Sequence, residues 1–387
     1  MGYLTDIRVV DLTQLAPGPF ATTILGDLGA DVITVEPPSS RREGSFVGGI
    51  PYHGGHKSRE QRINPLFRSR RSIVIDLKSA QGKEVLTRLI RSADVFMEGF
   101  RPGAVGRLGF DYPAVAEINP SVVYCSLTGY GQTGPMAQKA GHDINYLAEA
   151  GLLAITTRAG GAKPGIPLNV VADFSAGGFV AALGVLAALH RRGTDGEGSF
   201  VDVSMFDGVL SLLSVAAAWR EAGAPDPSFE GSIISGRAPF YDCYRTADDR
   251  WLAVGCVEPK FFAALCDVLA RPDLVSLQFD PDRWPEIRRA FTEAFAAHNR
   301  DEWVDRLKDV DTAVSPVREL GEAFDLARAT GRVTADYRVP VPRFTPEAAP
   351  TDRYAAAPGQ DCAEILGDLG YSTAEIEELR QVGAAGA

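Results

Sequence analysis

Arg8-Val9-Val10-Asp11-Leu12, then Pro17-Gly18-Pro19 opening a helical pattern from Phe20 to Leu28, then Asp31-Val32-Ile33-Thr34-Val35-Glu36 is the stretch that decides the fold. Two short apolar runs flank one helix-length segment, which is the pattern of a β-α-β unit. The alternation returns in the run 72–77, a helix started by Ser79 and passing through 83–86, and the run 94–98. It returns once more in a short helix near 113–118 and the strand 122–127. Strands alternating with helices predict an α/β protein with a mostly parallel sheet covered on both faces, and with ligands beyond the carboxyl ends of its strands. No G-x-G-x-x-G follows the first strand, so a dinucleotide fingerprint is absent.

From 141 to about 222 the signals are helical, interrupted by Pro164-Gly165-Ile166-Pro167 and by a strand at Phe200-Val201-Asp202-Val203. Residues 1–222 therefore form the first part of a large domain, and the polar, Gly- and Pro-containing stretch 223–239 a linker. Two antiparallel strands, 240–245 and 251–255, joined at Asp248-Asp249-Arg250 and followed by charged helices, define a smaller α+β domain over 240–330. Residues 331–387 begin as a second linker, Pro-rich from 339 to 350, and reach a last helical segment at Cys362.

The chain of 387 residues carries 39 Lys and Arg against 50 Asp and Glu, a net charge of -11 that argues against general nucleic-acid binding. The basic residues are unevenly spread. Arg41, Arg42, Lys57, Arg59, Arg62, Arg68, Arg70 and Arg71 are opposed in that interval only by Glu43 and Glu60. Such a segment suits an anionic small ligand, or equally a solvated charged loop. The five cysteines are scattered without C-x-x-C spacing, so neither a disulfide framework nor a zinc site is expected. The N-terminus has no apolar signal region, and the most apolar stretch, 174–189, is shorter than the roughly 20 residues that span a bilayer. The expectation is a buried helix in a cytoplasmic protein.

Of five histidines, His53 and His56 lie in a glycine-rich basic loop without further ligands for a metal, and His190 and His298 end apolar helical runs. His142 alone stands between a Gly and an Asp at a helix start, in Gly141-His142-Asp143-Ile144-Asn145-Tyr146. The companion segment is Leu168-Asn169-Val170-Val171-Ala172-Asp173-Phe174. A lone His is more often structural than catalytic, and Asp173 has an alternative role as N-cap of a helix beginning near Ser175. Acting together, one imidazole and one carboxylate can handle a proton on each face of a carbon, which is the chemistry of inversion at an acidic centre. The run Ser175-Ala176-Gly177-Gly178 fits either close approach of a ligand or simple helix packing.

Taken together, these segments resemble the class III coenzyme A transferase family, and within it the α-methylacyl-CoA racemase branch. The resemblance covers nearly the whole chain. It rests on 8–12 with Pro17-Gly18-Pro19, Leu28-Gly29-Ala30-Asp31-Val32, the run 71–78, Ala93-Asp94-Val95-Phe96-Met97-Glu98-Gly99-Phe100-Arg101-Pro102-Gly103, Leu127-Thr128-Gly129-Tyr130-Gly131-Gln132-Thr133-Gly134-Pro135, and the run 255–262. It implies a large Rossmann-like domain built from both chain ends, a small domain inserted late, and two chains interlocked as a homodimer. The family's transferases use an Asp nucleophile at the position of Asp173. Its racemases also carry the Gly-His-Asp-Ile-Asn-Tyr pattern of 141–146, with His142 paired to Glu258 of the small domain and Asp173 paired to Asn169.

The implied activity is epimerisation of a 2-methylacyl-CoA thioester, with coenzyme A as part of the substrate and no cofactor or metal required. Arg41, Arg68, Arg70, Arg71 and Arg101 are the candidates for its phosphates, with Arg71 and Arg101 favoured because they lie in matched motifs, while Tyr130 and Asp143 are counted with the ligand contacts. N–H donors at the helix after Asp173 are expected to hold the enolate oxygen. The alternatives are a CoA transferase using Asp173 as nucleophile, and a noncatalytic acyl-CoA-binding protein.

Overall fold

A strand buried on both faces reads as a nearly continuous apolar run, and the central strands of this chain are of that kind up to their carboxyl ends, where Asp11 and Glu98 are buried. The computed structural model describes residues 2–38, 46–47, 50–51, 65–156, 163–225, 231–334, 339, 342–344 and 356–386. Strands β1 (Arg8–Asp11), β2 (Asp31–Glu36), β3 (Arg70–Val74), β4 (Val95–Glu98), β5 (Val123–Thr128) and β6 (Ser199–Ser204) form one sheet in the order β3-β2-β1-β4-β5-β6. Every pairing in it is parallel, with Val10 opposite Ile33 on one side and Phe96 on the other. This is the doubly wound order, in which the direction of winding reverses between β1 and β4.

The connections are helical: α1 (Pro17–Asp27), α2 (Ala80–Arg91), the short α3 (Ala104–Leu108) and α4 (Tyr112–Ile118), and α5 (Asp143–Glu149). Pro at the first turn favours the start of α1, and the Ser79 hydroxyl caps α2 by accepting from the Gly82 N–H at 2.9 Å. A π-helical segment, Val170–Phe179, runs directly into α6 (Val180–Asp195). Together they form a helix of 26 residues, longer than the sequence suggested, and long and apolar enough to cross a membrane by length and composition. Its small residues Ala181, Ala182, Val185 and Ala188 are buried, and it packs along α1, β5 and β6. Helix α7 (Met205–Glu221) follows β6.

The chain divides into two compact units: Met1–Ala150, Pro167–Leu212 and Arg332–Ala387 make the first, Gly151–Ile166 and Leu213–Gly331 the second. The division falls within α7, ahead of the stretch 223–239 where the sequence placed a linker. In the second unit β7 (Tyr241–Arg245), β8 (Trp251–Gly255) and β9 (Val314–Pro316) form an antiparallel sheet ordered β9-β8-β7. Helices α8 (Pro259–Val268), α9 (Trp284–Phe295), α10 (Arg300–Leu307) and α11 (Leu320–Ala329) complete it. Phe240, Phe262, Phe291, Phe295 and Trp303 are central to its aromatic core.

Both chain ends build the first unit. After the second unit the chain returns as α12 (Cys362–Asp368) and α13 (Thr373–Gln381), whose Ile365, Leu366 and Leu379 enter the core formed by Val10, Ile33, Ile73, Leu86 and Phe96. Asp361 accepts from the Ser72 N–H at 2.8 Å, and Ala385 bridges Ile75.

Arg70 lies inside this unit. It is 4% exposed, ion-paired to the fully buried Asp11 at 3.3 Å, and donates to Thr23 Oγ1 at 2.7 Å, Thr34 Oγ1 at 3.2 Å and the Pro19 carbonyl at 3.0 Å. Removing one member of a buried pair strands the other's charge, at a cost of roughly 3–5 kcal/mol. Arg70→Met is therefore expected to lower unfolding stability by about that amount, read from the urea midpoint; a shift within error of zero would show the pair to be dispensable.

Candidate active site

Where winding reverses, the loops leaving the two central strands diverge and leave a crevice beyond their carboxyl ends. A cavity of about 510 Å³ occupies that position. Leu12 to Leu15 enter it from the loop after β1, Gly99 to Pro102 from the loop after β4, and Thr128, Gly129 and Tyr130 from the end of β5. Lys139, His142, Asn145 and Tyr146 close another side. Arg101, Tyr130 and His142, three residues singled out in the sequence, thus line one space.

His142 is the exposed N-cap residue of α5. Its backbone N–H donates to Asn145 Oδ1 at 3.1 Å, and the Tyr146 hydroxyl donates to the Gly141 carbonyl at 2.7 Å, so both flanks of His142 are fixed by residues of its own helix. The next residue, Asp143, is 5% exposed. Its Oδ2 accepts the backbone N–H of Ala172 at 2.8 Å and of Asp173 at 2.9 Å, which ties the His142 segment to the Asp173 turn. Burial pushes the Asp143 carboxyl above its ordinary range, and these two N–H donors pull it back. Its Oδ1 has no protein partner.

Asp173 sits in the π-helical segment, where the Phe174 N–H reaches back five residues to the Asn169 carbonyl at 3.3 Å. Such turns concentrate at functional sites. The alternative role of Asp173 as an N-cap is corrected: it lies inside the helix, whose N-cap is Asn169. The residue before Asn169, Leu168, is 76% exposed and holds a left-handed φ of 55°, a conformation costly for any residue but glycine. Asn169 Nδ2 donates to Asp173 Oδ2 at 3.2 Å. Burial pushes Asp173 up to about 6; the Asn169 hydrogen bond and nearby His142 pull it down, and Asp143 pushes it up.

Several expected roles change. Arg68 is held by Asp27 at 2.5 Å, and Arg71 by Asp31 at 2.6 Å, Asp368 at 2.9 Å and Glu364 at 3.2 Å. With Arg70, these guanidinium groups are already engaged by carboxylates of the fold, so the expectation that they meet phosphates is corrected. Arg101 is the exposed cation on the cavity, accompanied by Lys139, which the sequence did not single out; its one legible signal is its place three residues before His142. Arg41 and the rest of the basic connection, with His53 and His56, lie outside the described residues. Glu258 is an exposed residue of the second unit, at the N-cap of α8.

The N–H groups of Ala172 and Asp173 are taken by Asp143, and that of Phe174, the first after Asp173, by the Asn169 carbonyl, so Phe174 is not a free donor for an enolate. A Cβ on Gly178 would come within 2.6 Å of Phe20, and one on Gly177 within 2.9 Å of Met205, so both glycines serve close packing. Thr128 and Tyr130, each 7% exposed, have hydroxyls without a protein partner and line the cavity. Among the described residues no three His, Cys, Asp or Glu side chains converge as metal ligands do.

A doubly wound sheet with a cavity at its reversal point and an ionisable pair beside it defines an α/β enzyme acting on a ligand held beyond the strand ends. The chain belongs to CoA-transferase family III, whose model matches residues 4–370. It is 35% identical over 385 residues to the α-methylacyl-CoA racemase of Homo sapiens, covering 97% of this chain and 96% of that one. It is 34% identical over 340 residues to the acetyl-CoA:oxalate CoA-transferase of Acetobacter aceti, covering 86% of this chain and 85% of that one. Among solved structures, a CAIB/BAIF family protein from Brucella suis superposes with a TM-score of 0.77 at 25% identity, covering 94% of this chain and 98% of its own. A hypothetical protein from Mycobacterium tuberculosis superposes with a TM-score of 0.76 at 28% identity, covering 94% and 99%.

Because the folded pKa of Asp173 is raised from 3.8 to about 6, the folded protein holds a proton there that the unfolded chain has released. That contribution to stability is complete below about pH 4 and is lost as pH rises through about 6. Asp173→Asn removes this dependence. Its Tm is expected to exceed that of the wild type at about pH 7.5, with the difference closing by about pH 4; a difference independent of pH would mean Asp173 titrates normally.

Proposed function

We propose that this enzyme is a 2-methylacyl-CoA racemase that inverts the α-carbon by two-base proton transfer. The observation that carries the reading is the joint at Asp143, which holds the His142 segment against the turn bearing Asp173. A CoA transferase needs only the carboxylate; the imidazole of His142, which lines the cavity, has a use in racemisation.

In one direction Asp173, ionised near neutrality, removes the α-proton. The electron pair of the C–H bond becomes the carbon–carbon double bond of the enolate as the carbonyl π pair moves onto the thioester oxygen, and the imidazolium of His142 returns a proton to the opposite face as the carbonyl re-forms. In the other direction the roles reverse. A pKa near 6 suits both, because a carboxyl close to the working pH can take a proton and give it back. The unpartnered hydroxyls of Thr128 and Tyr130 are available to polar atoms of the substrate, and Arg101 to the phosphates of coenzyme A, whereas Lys139 is paired with Glu149. No further cofactor enters the chemistry.

The active form in this reading is a homodimer in which Glu258 of the partner subunit hydrogen-bonds the imidazole and stabilises its charged form. An exposed apolar stripe on α7, with Leu212 at 58%, Val215 at 58% and Trp219 at 63%, supports association with a second copy.

A second reading, a CoA transferase with Asp173 as nucleophile, is favoured by the transferase relatives, among them the succinyl-CoA:glutarate CoA-transferase of Homo sapiens at 32% identity over 79% of this chain and 66% of its own. One experiment separates the two. With one epimer of a 2-methylacyl-CoA in deuterated water, the racemase incorporates deuterium at the α-carbon and epimerises without an added carboxylate. His142→Ala should lower that rate at least ~10²-fold, the usual worth of a positioned acid or base. No exchange, but CoA transfer on addition of a carboxylate acceptor that His142→Ala leaves intact, would sink the racemase reading in favour of the transferase.

A further inference from the structure

The loop after β4 and the loop after β5 form two walls of the cavity, yet the groups that set their separation lie outside it. Glu98, the last residue of β4, is 1% exposed. Its register partner on β5 is Ser126, also 1% exposed, and the partner of Ser126 on β6 is Asp202, so three polar residues stand in one row across adjacent strands. Glu98 Oε2 accepts the Phe100 N–H at 2.8 Å, and Phe100 and Arg101 belong to the first wall. Glu98 Oε1 accepts the Ser126 hydroxyl, whose oxygen in turn accepts from Gln132 Nε2 at 2.6 Å. The Gln132 N–H donates to Asp202 Oδ2 at 3.0 Å. Gln132 follows Gly129 and Tyr130 of the second wall, and it turns back over the row because Gly131 adopts a left-handed φ of 78°.

We propose that Glu98 is a positioning residue whose two carboxylate oxygens fix the Phe100–Arg101 wall of the cavity directly and the Gly129–Tyr130 wall through Ser126 and Gln132, holding the two at a set separation. A fully buried carboxylate without a cation beside it is costly to keep, and burial indeed pushes its pKa up against the pull of its two hydrogen bonds. An apolar side chain would satisfy the sheet at this position at lower cost. What an apolar residue cannot do is accept from Phe100 of one wall and at the same time from Ser126, which holds the Gln132 turn after the other. The link to ligand affinity rests on the reading that this cavity takes coenzyme A.

The test compares wild type with Glu98→Met, which keeps length and removes both acceptors, and with Ser126→Ala, a small change that removes the hydroxyl between Glu98 Oε1 and Gln132 and leaves the Glu98 Oε2 bond to the Phe100 N–H in place. Two measurements are made on the full-length protein: backbone hydrogen exchange without ligand, and the dissociation constant for free coenzyme A. Glu98→Met is expected to speed exchange in both 99–102 and 129–132, and Ser126→Ala in 129–132 alone. Each should weaken coenzyme A binding about 5- to 10-fold, the worth of a buried hydrogen bond. With Arg101→Ala as background, the loss from Glu98→Met should shrink, because the wall it holds no longer carries its cation. If Glu98→Met fails to fold, the local loosening by Ser126→Ala decides the matter. Exchange that stays unchanged in both walls, or rises uniformly across the sheet, overturns the proposal. Walls that loosen as expected with unchanged coenzyme A affinity support the positioning role and overturn the assignment of the cavity to coenzyme A.

Discussion

The reversal of winding between β1 and β4 is the constraint on which the rest depends. Adjacent parallel strands whose loops depart in opposite directions cannot cover the space above their own ends. Each of the two strands also ends on a buried carboxylate that accepts an N–H two residues ahead: Asp11 from Thr13 at 2.8 Å, Glu98 from Phe100 at 2.8 Å. The two loops are thereby turned at fixed points. The carboxylates differ in what neutralises them, since Asp11 has Arg70 and two hydroxyls, whereas Glu98 has only a serine hydroxyl and a backbone donor. One end of the crevice is locked by an ion pair and the other by neutral hydrogen bonds.

A second joint ties the His142 segment, which lines that crevice, to the turn bearing Asp173. His142 and Asp173 are far apart in sequence and sit on separate helical segments, so neither helix alone positions both. Asp143 does so by spending one oxygen on two N–H groups of the other segment. A helix start has N–H groups without intrahelical partners, and a carboxylate from outside satisfies them while fixing where the helix begins. Position and hydrogen-bond satisfaction are here one requirement, and the residue that meets it is the immediate neighbour of His142.

The parallel sheet was legible because buried strands are written as largely apolar runs, and helix starts such as Pro17 and Ser79 carry their own chemistry, whereas the part played by the C-terminal end in the same unit came only as an implication of the resemblance. The partners of the arginines were not legible. A guanidinium in a strand motif reads the same whether it faces a phosphate or a carboxylate, and Arg71 finds its partners at Glu364 and Asp368, almost 300 positions away in the chain, at separations of 293 and 297. Nor could spacing separate the two uses of Gly177 and Gly178, since bringing α1 close and admitting a ligand both ask for a missing Cβ. The π-helical turn was hidden for a related reason. Its sequence is that of an ordinary apolar helix, and the change from four to five residues between donor and acceptor comes from what the turn packs against and hydrogen-bonds to.

That turn decides what kind of group Asp173 becomes. With Asn169 four residues earlier, the amide donates to the carboxylate and favours its charged form, which alone would make Asp173 a weaker base than a solvated aspartate. Burial opposes this and outweighs it, and the neighbouring Asp143 adds to the same side, so the balance comes out near 6. A carboxylate so tuned is a better proton acceptor than one in water and still mostly ionised at neutral pH. The proposed racemisation asks for that intermediate state, because the group that takes the proton in one direction must return it in the other. The imidazole on the cavity completes the requirement, since a single tuned carboxylate can reach only one face of the carbon.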